Sequence, residues 1–101
     1  MLPRMLQEVI LFPQTDDIDA VDRFIETYIV PAHRNSPGCR AFTINREPLM
    51  SPFGPPPYSR VFVATLGSLQ DMMAIGGSDL IQSSKDQTPE GMQIVFYEYE
   101  A

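Results

Sequence analysis

The chain is poor in the residues that most often announce a chemistry. Of its 101 residues one is cysteine, one is histidine and none is tryptophan. A lone cysteine, Cys39, permits no internal disulfide and fits a reducing, cytoplasmic setting. One histidine and one cysteine cannot supply the three or four close ligands of a zinc site, so no metal is expected. Positive charge is also scarce: seven Lys and Arg against thirteen Asp and Glu leave a net charge of −6. Nucleic acids and anionic membranes demand basic patches, so neither is an expected partner. No apolar run approaches the roughly 20 residues of a membrane span. The opening segment, MLPRMLQEVILFPQTDD, carries only a short apolar run, interrupted by Gln7 and Glu8 and lacking a small-residue cleavage site. It reads as a first strand, not a signal peptide. Gly76-Gly77 stands alone, without the spacing or preceding strand of a phosphate-binding loop.

Proline, by contrast, is abundant, with ten in the chain. One of them falls inside a helical pattern. Val21, Phe24, Ile25, Tyr28, Ile29 and Ala32 recur at intervals of three and four, the stripe of an amphipathic helix. Pro31 cannot donate to the carbonyl of Thr27, so that helix must bend or loosen there before Ser36-Pro37-Gly38 ends it. Five more prolines crowd Glu47 to Pro57, which excludes both helix and central strand and predicts a long arm. Met50 and Phe53 would be its apolar anchors, in a lid or in an embrace of a second copy.

Around these landmarks the pattern predicts strands at Leu6–Phe12, Cys39–Arg46, Tyr58–Leu66 and Met92–Tyr99. Ser68 caps a second helix over Leu69, Met72, Met73 and Ile75, and Ser78 a shorter one beyond the Gly-Gly break. The order β-α-β-β-α-β, in one domain over residues 1–101, is the ferredoxin-like α+β arrangement: a four-stranded antiparallel sheet with helices on one face. Strands 1, 3 and 4 are apolar on both parities, as in Val9 and Leu11 against Ile10 and Phe12. A half-solvated sheet should alternate. The uncovered face predicts a homodimer packed sheet to sheet into one barrel.

The stretch Ile29-Val30-Pro31-Ala32, then His33-Arg34-Asn35-Ser36, then Pro37-Gly38, resembles the EthD-like family of the dimeric α/β-barrel superfamily, whose pattern is His-Val-Pro-Leu, a short basic segment and Pro-Gly. Leu66-Gly67-Ser68-Leu69, followed by Met72, Met73 and Ser78, is similar to the same family's second helix. Pro37-Gly38-Cys39 also resembles the antibiotic-biosynthesis monooxygenases. The resemblance implies a dimeric barrel with a cavity for a hydrophobic, aromatic or ketonic compound. The chemistry in that superfamily is carried out by cofactor-free oxygenases, isomerases or haem-binding enzymes. Ile29 occupies the family's histidine position, so that histidine's role does not carry over. This departure keeps a non-catalytic ligand-binding or partner-supporting protein open as the alternative.

His33 is the one candidate base, since imidazole titrates near neutrality. Its place in the last helical turn favours a structural role, bonding carbonyls at the helix end, and haem ligation through it is a further alternative; no cofactor is expected otherwise. A pocket lining is expected from Arg40, Phe42, Ile44 and Arg46 of strand 2, Arg60, Phe62 and Ala64 of strand 3, Glu8, Ile10 and Phe12 of strand 1, and Val95, Tyr97 and Tyr99 of strand 4. Arg40 or Arg60 could hold an anionic group, and Tyr97 or Tyr99 could donate to a carbonyl. The competing reading makes the same aromatics a dimer core, with Glu8, Arg40 and Arg46 at its solvated rim. Cys39, with small Ala41 and Thr43 on its parity, is expected beneath a helix as an inert thiol. Glu98 and Glu100 read as a solvated strand end, and Met72-Met73 as filling.

Overall fold

A computed structural model describes residues 4–101; Met1 to Pro3, the start of the N-terminal segment read above, lie outside it. The strands are β1 (Arg4–Pro13), β2 (Cys39–Ile44), β3 (Tyr58–Leu66) and β4 (Gln93–Glu100). They form one sheet in the order β2-β3-β1-β4, every neighbouring pair antiparallel. Helical segments follow β1 and β3: α1 (Ile18–Phe24), a π-helical turn (Ile25–Ile29) and α2 (Val30–Arg34) in one run, then α3 (Leu69–Gly76), α4 (Asp79–Ser83) and a 3-10 turn (Lys85–Gln87). Asp17, Ser68 and Ser78 cap the starts of α1, α3 and α4 through their side-chain oxygens. This is the ferredoxin-like α+β fold that the element order predicts.

The core lies between one face of the sheet and the helices. Leu6, Ile10 and Phe12 of β1 and Phe62, Ala64 and Leu66 of β3 point inward against Val21, Phe24, Ile25, Ile29, Val30, Ala32 and Ile75. On the opposite face Val9, Leu11, Val61 and Val63 are only partly covered, and no described helix lies over them. Strand β4 is bare on both sides: Ile94 and Phe96, which share the helical side with Ile10 and Glu8, are half-exposed, as are Val95 and Tyr97 opposite.

Two expectations about β2 and β4 are corrected. Cys39 pairs with Leu66 and Ala41 with Thr65, so the register slips by one residue at Arg40. That bulge reverses the alternation: Cys39 faces the helices as expected, but Ala41 and Thr43 turn outward while Phe42 and Ile44 turn in. The face shared by Phe42, Phe62, Glu8, Ile10 and Phe12 is real, but the helices cover it. In β4 the members of that face are Ile94 and Phe96, because Ile10 pairs with Ile94 and Glu8 with Phe96.

The loosening demanded by Pro31 takes the form of the π turn. Val30 N–H reaches back five residues to the Ile25 carbonyl, opening the ladder just ahead of the proline ring. Pro31 then sits in the first turn of α2, where its missing donor matters little. The extra residue also advances the buried stripe by about 100°. Ile29 at the end of the turn and Val30, Ala32 and His33 beyond it are all buried, whereas Tyr28, which plain α spacing would bury beside Ile29 and Ala32, is only partly covered.

Between β2 and β3 the proline-rich arm is fixed at its base and free at its tip. Gln14 donates from its backbone to the Pro57 carbonyl and from its side chain to those of Pro56 and Tyr58. Met50 and Phe53, at 95% and 97% exposure, touch almost nothing in their own chain.

Candidate acid–base site

The shifted stripe delivers His33 to the middle of the sheet. The residue is 2% exposed, and its ring meets Glu8, itself 5% exposed, with Nε2 2.6 Å from Oε1. Nδ1 lies 2.7 Å from the carbonyl oxygen of Ile29, one turn back in the same helical run. A carbonyl can only accept, so Nδ1 carries a hydrogen. One further proton is shared between Nε2 and Oε1, and the pair is either imidazolium and carboxylate or imidazole and carboxylic acid. In both forms its net charge is zero, which is what allows two ionisable groups to sit in an apolar core.

Aromatic rings wall the imidazole on the β2–β3 side. Phe62 packs at a centroid distance of 4.7 Å and Phe42 at 6.5 Å, the two phenyl rings stacking on each other at 5.4 Å. On the other side lies a cavity of about 230 Å³. Glu8 and His33 are its ionisable groups; Ile10, Ile29, Ile75, Ile81 and Ile94 with Met72, Met73 and Met92 supply the rest beside Gly76. Its rim runs between Met73 on α3, 65% exposed, and Ile94 on the bare strand β4. A larger groove of about 520 Å³, beside Pro13, Gln14 and Glu90, lies at the loop ends, and its Asp17 is occupied in capping α1.

Of the residues expected to line a pocket together, the structure brings only some to this place. His33 lines the cavity, whereas Phe42 and Phe62 pack against its ring and are not among the lining residues. Arg60 is engaged elsewhere: Nε and an Nη bond the two carboxyl oxygens of Asp22 on α1 at 2.9 and 3.2 Å. Arg40 is exposed on edge strand β2, beside Gly67. Tyr97 and Tyr99, which pair with Gln7 and Met5, stand on the opposite face of the sheet, their rings 6.0 Å apart. Cys39 faces the helical side near Glu8; burial pushes its thiol pKa up, the Ala41 carbonyl draws it back down, and the Glu8 charge adds to the rise.

Glu8 is the member whose weight the sequence reading underestimated. It is not a rim residue but the partner of His33. The signal was present: Leu6, Glu8, Ile10 and Phe12 share one parity, and a carboxylate in an otherwise apolar core row must find a partner. The chain has only one histidine to offer.

The sheet order and one-sided helical layer place the chain in the ferredoxin-like class. No protein-family model and no curated protein matches the sequence. Solved structures of the same fold are nonetheless plain. An EthD family protein from Bacillus halodurans is 18% identical, covering 96% of this chain and 98% of its own, with a TM-score of 0.67. A dimeric protein of unknown function and ferredoxin-like fold from Bacteroides fragilis is 16% identical over 94% of this chain and 96% of its own, with a TM-score of 0.67. The hydroxynitrile lyase of Passiflora edulis is 10% identical over 97% and 95%, with a TM-score of 0.75. At such identities the likeness is one of fold.

Proposed function

We propose that this chain is a small-molecule enzyme whose site is the His33–Glu8 cavity, acting on a hydrophobic aromatic or ketonic compound by proton transfer and without a tightly bound cofactor. The buried 2.6 Å pair, opening on an otherwise apolar cavity, is the observation that carries this reading. Two titratable groups held together in a low-dielectric site form a ready acid–base device. An enzyme of lyase name on the same fold agrees with it. The alternative, a non-catalytic binding protein, is favoured by Ile29 at the family's histidine position. Thermal unfolding with millimolar p-cresol or acetophenone tests the cavity, since a bound ligand must raise stability by mass action. Absence of any rise with either compound would remove both readings; a rise without turnover of any ketone tried would favour the binding protein.

We further propose a homodimer built on the outer sheet face, with the exposed Met50 and Phe53 of each arm gripping the other copy. Partly covered Val9, Leu11, Val61 and Val63, together with bare β4, support it, as does the dimeric state named for the Bacteroides fragilis protein. Sedimentation at micromolar concentration should give twice the 11.4 kDa chain mass. The single free cysteine supports a reducing, cytoplasmic location.

A further inference from the structure

Both ring nitrogens of His33 are committed, one to the Ile29 carbonyl and one to Glu8. Neither is left to meet a ligand. Glu8 is committed by half: Oε1 holds the imidazole, and no described residue bonds Oε2. Among the described residues no unpartnered side-chain oxygen or nitrogen is fully enclosed by the protein. Oε2 must therefore open onto free space, and Glu8 lines the cavity. The exposures agree, 7% for the Glu8 side chain against 1% for that of His33.

We infer that Glu8, through Oε2, is the acid–base residue that touches the ligand, and that His33 is its positioning residue. The inference rests on the cavity being the working site. It also defines the ligand class: an uncharged molecule of about one substituted aromatic ring, carrying one O–H or one acidic C–H beside a carbonyl. Size follows from volume, since a cavity of about 150 Å³ already takes benzene. Charge follows from the lining. A carboxylate faces the ligand, and no described arginine or lysine lines the cavity to offset an anion.

The proton step balances within the pair. The ligand's O–H or C–H bond breaks, its proton joins Oε2, and the electron pair stays on the ligand as phenolate or enolate. The proton shared with His33 rests on Nε2, so an imidazolium, hydrogen-bonded by the Ile29 carbonyl, balances the new anion beside a neutral Glu8. Return of the proton reverses each change, and no further reactant is required.

Nuclear magnetic resonance of the full chain labelled at Met methyls, Glu Cδ and the His ring nitrogens tests this with p-cresol and with toluene, which has the same shape and no hydroxyl. We expect p-cresol to move the Met72 and Met92 methyl signals and Glu8 Cδ while the His33 nitrogens keep their bonded positions. It should bind about tenfold tighter than toluene, the factor expected of one hydrogen bond to a charged group. Glu8→Gln should reduce that preference for p-cresol over toluene. Binding of p-cresol that displaces His33 Nε2 and leaves Glu8 Cδ unmoved would overturn the assignment, as would equal binding of the two probes. If neither probe moves a Met methyl, the cavity reading itself fails, a different result from failure of the Glu8 assignment.

Discussion

Glu8 and His33, 25 residues apart in the chain, meet through a 2.6 Å contact that the core closes over almost completely. Neither residue could be buried alone. Glu8→Leu or His33→Leu should each destabilise the protein by about 3 kcal/mol, because the survivor is left desolvated without its partner. The double variant should lose less than the sum of the two, since it removes both polar groups at once. Urea unfolding of the four proteins gives the coupling; strict additivity would mean that the contact contributes nothing.

Pro31 sits in a helical run yet should be nearly free of penalty. Proline inside a regular helix costs about 3 kcal/mol, from the lost bond and the clash with the carbonyl four residues back. Here the π turn has already moved the ladder aside. Pro31→Ala is expected to shift stability by less than about 1 kcal/mol. A gain near the full value would show that the turn absorbs none of the strain.

Gly38 is required for space, not for backbone freedom. A Cβ built there would collide with the carboxyl group of Asp71, which bonds the Ser68 hydroxyl at the start of α3. Gly38→Ala should expel Asp71 and loosen that cap, lowering stability by about 1 to 2 kcal/mol. Asp71→Ala in the same background should relieve the clash, so the pair of substitutions together should cost less than Gly38→Ala predicts on addition. Calorimetric unfolding temperatures read both.

Cys39 should be a slow nucleophile. Desolvation raises its pKa above the ordinary thiol value, so at pH 8 it should react with a disulfide reagent more slowly than a free thiol of the same concentration. The linkage has a definite sign. With the folded pKa above the unfolded one, the folded state holds its proton more tightly; the resulting stability is fully present below the unfolded pKa and is lost as pH rises through the folded pKa. Stability of the wild type should therefore fall more steeply in the alkaline range than that of Cys39→Ala. Parallel curves would contradict the burial effect.

The element order was legible because each local signal agreed with the next: short apolar, β-branched runs in LQEVILF and YSRVFVATL, serine caps, and proline and glycine stops. The need for irregularity at Pro31 was also legible, since a missing N–H is a property of one residue. Its form was not. A kink would have left the stripe near Ala32, whereas the π turn rotates His33 inward; periodicity arguments assume the regular ladder that the turn interrupts. The same limit applies at Arg40, where one bulged residue exchanges the faces of Ala41 and Phe42. Long-range partners such as Arg60 with Asp22 leave no mark in local spacing at all.

The π turn has a consequence in genetic terms. It amounts to one surplus residue within Ile25–Ile29, accommodated without disturbing the sheet beneath. Loss of a single codon there would restore the regular ladder and swing the imidazole about a quarter-turn out of the cavity. The strands would be untouched, but Val30 and Ala32 would turn away from the core together with His33. In this chain the contact between His33 and a Glu8 that lies 25 residues away in sequence thus depends on one residue of the turn.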